Sequence, residues 1–170
     1  MRILGIDPGT ATTGFGVIDT DSLGQYSLVD FGLVTTSKSL PPGHRLDLIY
    51  QGISTVITKH SPDVVSLERL FFAANALTAI AVGQAIGVIK LAIHHHQLPV
   101  FEYTPMQVKL HVAGTGKADK TLMKKVVKKV LKISKKTIRV KNRNQTHFDD
   151  SADAIALAIC HIKQTQRPKV

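Results

Sequence analysis

The chain is 170 residues long and 44% hydrophobic, and its 22 Lys and Arg against 12 Asp and Glu give a formal net charge of +10. This length predicts one domain with a sizeable core, and it excludes a two-lobed kinase or a multi-domain machine. The hydrophobic content and a mean hydropathy of +0.07 exclude a disordered chain. A single cysteine excludes a disulfide framework and a cysteine-based zinc site. No cationic and apolar signal sequence opens the chain, so we expect a cytoplasmic protein.

The positive charge is concentrated in one segment. Between Lys109 and Arg143 there are thirteen basic residues and one acid, Asp119, which leaves nine basic and eleven acidic residues elsewhere. A solvated surface is the usual role of a charge run. Segregation of this degree, with a sequence pI near 9.9, favours a polyanionic partner, and nucleic acid is the first to consider.

The order of the predicted elements indicates an α/β protein. A three-stranded meander comes first, a Pro-Pro-Gly break follows at Pro41, and strands then alternate with helices. We predict strands at 2–6, 14–18, 26–35, 64–67 and 100–103, and helices at 46–60, 76–93, 105–112, 120–131 and 150–162. This order predicts a mixed five-stranded sheet flanked by helices.

The segment from Ala76 to Ile93 is almost entirely apolar and spaces Gly83 and Gly87 as GxxxG. That pattern also occurs in membrane helix dimers. Polar residues interrupt it and an ordinary strand follows, so we predict a buried helix in a protein without a membrane span. Its small residues would let a second subunit approach closely.

Carboxylates stand at the ends of predicted elements. Asp7 follows the first strand, Glu68 ends the fourth, and Asp150 and Asp153 are i, i+3 neighbours at the start of the last helix. If the first and fourth strands are adjacent, these four acids converge, and oxygen ligands of this kind suit Mg²⁺ or Mn²⁺. Taken singly, each acid also fits a plain structural role in a turn or at a helix start, and we predict Asp149 as the N-cap of the last helix.

An ordered set of motifs resembles the RuvC family of bacterial Holliday junction resolvases. The resemblance begins with Gly-Ile-Asp-Pro-Gly at Gly5 and continues to the Asp-x-x-Asp-Ala motif at Asp150. The other matching positions are Thr13–Ile18, Glu68, Phe71, Asn75, Gly83–Ala85, Gly87, Val100–Tyr103, Gln107–Lys109, Gly114, Gly116, Ala118 and Lys120. Together these matches run from residue 3 to about residue 161.

This resemblance implies an RNase H-like fold and a homodimer that cuts two strands of a four-way DNA junction. It places the catalytic and metal-binding carboxylates at Asp7, Glu68, Asp150 and Asp153, which would hold two Mg²⁺ ions, with Mn²⁺ as an alternative. It implies DNA contacts from four further residues, namely Lys109, Lys120, Lys117 and Phe71. It also implies a branch-migration complex of the RuvA and RuvB type as partner.

The chain departs from the family pattern at two positions and in one segment. Ile86 stands where the family usually has Arg, and Leu122 where it usually has Gln. The stretch 133–148 is longer and more basic than usual, and we predict a DNA-contacting loop there, or a hairpin around Thr137 to Val140, with a protein contact as the alternative. We expect one nuclease domain over 1–165 and a short tail over 166–170.

Two other functions stay open at this stage. An RNase H-like nuclease acting on another nucleic acid would keep the carboxylates and change only the substrate. A non-catalytic junction-binding module would explain the basic segment but not the acids.

Overall fold

The computed structural model describes residues 1–69, 76–133 and 145–166, and within them the chain forms five strands and five helices. The strands are β1 (Arg2–Asp7), β2 (Thr12–Thr20), β3 (Tyr26–Thr35), β4 (Val64–Glu68) and β5 (Val100–Tyr103). The helices are α1 (Pro42–His60), α2 (Ala76–His95), α3 (Pro105–Ala113), α4 (Lys120–Val130) and α5 (Gln145–Thr165). The predicted order of elements is therefore confirmed.

The strands form one mixed sheet in the order β3-β2-β1-β4-β5. β1 is antiparallel to β2 and parallel to β4, and the β1–β4 register pairs Ile6 with Leu67. This register places the next residues along, Asp7 and Glu68, side by side at the same edge of the sheet. The adjacency of the first and fourth strands, on which the predicted acidic cluster depends, is confirmed.

Successive side chains of β1 point to opposite faces of the sheet. Leu4 and Ile6 pack into a core with α1 and α2, whereas Ile3 joins the core formed by α3, α4 and α5. Gly5 and Asp7 share the face of Ile3, because side chains alternate along a strand. The carboxylate of Asp7 therefore points to the side of the sheet that α5 covers.

α5 lies directly on the sheet because glycines leave room for its backbone. A Cβ atom on Gly5 would overlap the carbonyl oxygen of Ala154, and one on Gly16 would press against Ile155. The buried hydroxyl of Ser66 also donates a 2.8 Å hydrogen bond to the carbonyl of Leu157 in α5. These contacts fix the position of α5 over β1, β2 and β4.

α2 differs from its prediction in being buried on one face only. Ala85, Ile89 and Ile93 are buried against α1 and the sheet, while Ile80 and Leu91 are exposed. Among the described residues, no helix has both the length and the apolar character needed to cross a membrane.

α5 begins earlier than predicted, at Gln145 rather than Asp150. Residues 145–148, which were predicted as part of a basic loop, form its first turn. Asp149 therefore lies inside the helix, so its prediction as the N-cap is wrong. The predicted hairpin at Thr137 to Val140 lies outside the described residues.

We predict that Gly5→Ala destabilises the protein by at least about 3 kcal/mol or prevents folding, because the atoms it meets belong to the helix backbone and cannot turn away. Gly43→Ala is the matched control, since nothing lies within 4 Å of its added Cβ, and it should change stability by less than about 1 kcal/mol. Chemical denaturation of both variants measures this. Equal stability of Gly5→Ala and the wild type would contradict the described packing of α5 on β1.

Candidate active site

Two neighbouring strands deliver the central pair of acids. Asp7 ends β1 and Glu68 ends β4, and both side chains are partly buried. The two carboxyl groups are close enough that each shifts the pKa of the other. The pair therefore forms a single titrating unit.

α5 brings the other two predicted acids to the same edge. Asp153 lines a cleft of about 330 Å³ together with Asp7 and Glu68. A second cleft, of about 360 Å³, is lined by Asp7, Asp150 and Asp153. Asp7 and Asp153 thus belong to both clefts, while Glu68 opens to the first and Asp150 to the second. All four predicted carboxylates come together at this edge.

The surroundings of Glu68 oppose its ionisation. Burial, followed by the charge of Asp7, raises the pKa of Glu68 to about 8. Burial also raises the pKa of Asp7, although the neighbouring Glu68 carboxyl group acts in the opposite direction. Near neutral pH the pair therefore retains a proton. This proton removes one of two close negative charges, which a cation would otherwise have to offset.

The donor chemistry of this edge fits a hard divalent cation. Its ligands would all be carboxylate oxygens, which suit Mg²⁺ or Mn²⁺ and not a soft metal. Among the described residues, no three His, Cys, Asp or Glu side chains are already arranged to hold a metal ion.

Basic side chains surround the acids. Lys109 and Lys120 line the first cleft, and the Lys120 ammonium nitrogen lies 3.9 Å from a carboxylate oxygen of Asp153. Lys120 also lines the second cleft. Lys117 is exposed and lines neither of these two clefts. Phe71 lies outside the described residues.

Two further residues line the site in the structure and are not predicted as site residues from the sequence. Lys124 and Asp149 line the second cleft and lie 3.9 Å apart, from the ammonium nitrogen to a carboxylate oxygen. Lys124 belongs to the basic segment, where its charge alone does not distinguish it from the other lysines. Asp149 is not predicted as a site residue from the sequence, because its contact with Lys124 depends on where α5 begins.

The mixed sheet with acidic side chains at the ends of β1 and β4, covered by α5, is the arrangement expected of an RNase H-like nuclease. A model of the family described as "Crossover junction endodeoxyribonuclease RuvC" matches residues 3–161. The chain belongs to the RuvC family.

Relatives and solved structures agree with this assignment. The crossover junction endodeoxyribonuclease RuvC of Caldicellulosiruptor saccharolyticus is 43% identical over 162 residues, which covers 95% of this chain and 92% of the relative. The RuvC of Clostridioides difficile is 42% identical over 169 residues, which covers 99% and 94%. The structure of Thermus thermophilus RuvC is 30% identical with a TM-score of 0.83, and it covers 98% of this chain and 96% of the other. The same enzyme in complex with a Holliday junction substrate has 28% identity and a TM-score of 0.82, with the same coverage.

The raised pKa of Glu68 predicts how stability depends on pH in the metal-free protein. The pKa is about 8 in the folded state against 4.5 for a free glutamate, so the folded protein binds more protons across this window and loses stability as the pH rises. Glu68→Gln cannot titrate. In EDTA, its melting temperature should therefore fall less between pH 5 and pH 8.5 than that of the wild type, by several degrees.

Glu102→Gln is the matched control for this comparison, because Glu102 pairs with Lys90 at 2.9 Å and does not line the first cleft. Its melting temperature should follow the wild-type pH dependence. Parallel pH profiles for the wild type and Glu68→Gln would show that Glu68 titrates like a solvated carboxyl.

Proposed function

We propose that this protein resolves four-way DNA junctions by metal-dependent hydrolysis of one phosphodiester bond in each of two strands. The observation that carries the proposal is the pair of clefts that share Asp7 and Asp153, with Lys109 and Lys120 beside them. Acids able to hold cations, next to lysines able to hold a phosphate, are what phosphodiester hydrolysis requires. Membership of the RuvC family and the junction complex of the Thermus thermophilus relative support the choice of substrate.

Asp7, Glu68, Asp150 and Asp153 would hold two Mg²⁺ ions, with Mn²⁺ as a substitute. Bound ions of this kind supply an activated water and charge stabilisation at the leaving 3′ oxygen. Glu68 must lose its proton before it can serve as a ligand, because a protonated carboxyl is a poor donor to a cation. The loaded site therefore differs from the metal-free one in the ionisation of the Asp7–Glu68 pair.

The basic side chains position the substrate. Lys109 and Lys120 would neutralise phosphates at the mouth of the first cleft, and Lys117 would add a contact farther out. The side chain of Lys120 is 85% exposed, so it is free to turn from Asp153 towards an incoming phosphate. Phe71 would stack on an unpaired base at the junction centre, a contact that tolerates any sequence.

Paired cuts require two active sites, and a symmetric homodimer supplies them. α2 has the features of a contact surface, because Ile80 is 70% exposed and a Cβ on Gly87 would meet nothing within 4 Å. We place the enzyme in the cytoplasm as one nuclease domain over 1–165 with a tail over 166–170. A branch-migration complex of the RuvA and RuvB type would deliver the junction to it.

The experiment compares a synthetic four-way junction, a linear duplex and an RNA–DNA hybrid, each with Mg²⁺ or with EDTA. We expect symmetric paired nicks on the junction alone. Cleavage should fall at least about 100-fold in Asp7→Asn and in EDTA, while junction binding persists, because the acids serve the chemistry and the lysines serve binding.

Asp47→Asn is the control for the loss of one carboxylate, since Asp47 is an exposed residue of α1 that bonds Gln51. It should cut like the wild type. Cleavage of the hybrid would favour the nuclease of another substrate class, and binding without any cleavage would favour the non-catalytic module. Cleavage that survives Asp7→Asn would contradict the proposed site.

A further inference from the structure

Three lysines of α4 form one row that starts at the active site. Lys120, Lys124 and Lys128 recur every four residues, so they lie along the same side of the helix. Lys120 lines both clefts, and Lys124 lines the second. The row therefore leads away from the acids along α4.

Contacts with α5 hold the row in place. The Lys124 ammonium nitrogen lies 3.9 Å from Asp149, and that of Lys128 lies 5.2 Å from the ring centroid of Phe148. Phe148 is itself buried and packs edge-on against Phe31, with the centroids 5.6 Å apart. A cation over an aromatic face is attracted by the ring and loses part of its freedom. The two ammonium groups are thus oriented before any ligand arrives.

A second row of lysines on the same helix is more exposed than the first. Lys125 and Lys129 are exposed, whereas Lys124 and Lys128 are half-buried against α5. Both pairs carry the same charge and the same four-residue spacing. The first pair is distinguished by its contacts with α5 and by its continuity with Lys120 and the clefts.

The length of the row indicates what it would bind. Eight residues of helix separate Lys120 from Lys128, a rise of about 12 Å. A DNA strand places one phosphate for about every 3.4 Å of helix axis, so the row spans about three to four nucleotides. An acidic peptide or a lipid surface would also meet the charge, but neither has to enter the cleft where the row begins.

We propose that Lys120, Lys124 and Lys128 form a phosphate track for the DNA strand that leaves the active site, over the three to four nucleotides beside the cut. This inference rests on the proposed DNA-cleaving function. It adds a defined path for one strand and assigns a role to Lys124 and Lys128. Asp149 and Phe148 act as positioning residues that aim these two lysines.

The test compares Lys124→Gln/Lys128→Gln with Lys125→Gln/Lys129→Gln, two variants of equal net charge on one helix. Junction binding is measured in EDTA, where no cutting occurs, over a range of salt concentrations. We expect the first variant to bind roughly tenfold or more weakly near 0.1 M salt, with a slope of log K against log salt reduced by about two. The second should lose less than about threefold.

A scan with single neutral methylphosphonates locates the track. Each of the first five phosphates on either side of the cut is replaced in turn. Wild-type binding should weaken when the replacement falls on the track, and Lys124→Gln/Lys128→Gln should lose this sensitivity at about two positions. Lys125→Gln/Lys129→Gln should keep it at every position. Thermal melting checks that both variants are folded. Loss of the half-buried Lys124–Asp149 pair should cost little stability, because the two charged atoms are 3.9 Å apart and remain partly solvated.

The results separate this inference from the proposed function. Equal losses of affinity in the two variants, or a methylphosphonate profile unchanged by Lys124→Gln/Lys128→Gln, would overturn the track while junction cleavage stands. A wild-type protein that binds duplex as tightly as junction would contradict the junction function, and the same scan on duplex would still decide whether the track exists.

Discussion

The close contact between α5 and the glycines of the sheet is the constraint on which the site depends. Gly5 and Gly16 let the helix backbone approach β1 and β2 at a distance that any side chain would prevent. Asp150 and Asp153 are far from Asp7 in the chain, and this contact brings them to the same edge. A side chain at Gly5 or Gly16 would push α5 off the sheet, and Asp150 and Asp153 would move away from Asp7 with it.

The acidic edge is costly in the absence of a cation, and the structure shows how the cost is met. Burial and the charge of Asp7 raise the pKa of Glu68 to about 8, so its carboxyl group keeps a proton near neutral pH. The proposed divalent ion would replace this proton, because a carboxyl group must be deprotonated to bind a cation. A nearby lysine offsets part of the remaining charge, since the Lys120 ammonium nitrogen lies 3.9 Å from a carboxylate oxygen of Asp153.

Local pattern was enough to predict most of the fold. The bounds of β3 and β5 match their predictions, because both are short segments rich in β-branched and aromatic residues with turn residues at their ends. The start of α5 was missed because its first turn is largely polar. Its one large apolar residue, Phe148, is buried by packing against Phe31, more than a hundred residues away in the chain. The sequence around Phe148 alone cannot predict that contact.

For the site, the sequence predicts which carboxylates take part but not how they interact with one another or with Lys124. The carboxylates stand out from their places at the ends of elements, and the family resemblance selected the same four. The raised pKa of Glu68 could not be predicted, since it depends on the parallel register that sets Asp7 beside Glu68. The pairing of Lys124 with Asp149 likewise needs the packing of α4 against α5, because one lysine in a basic run resembles the next.

The central claim is that the fold builds a single coupled acidic site, in which a divalent ion replaces a proton. Carbon-13 NMR titration of the Glu68 carboxyl carbon tests it directly, with and without Mg²⁺. The account predicts a titration near pH 8 in the metal-free protein, and its disappearance from that range when Mg²⁺ is present. A Glu68 that titrates near 4.5 and ignores Mg²⁺ would contradict it.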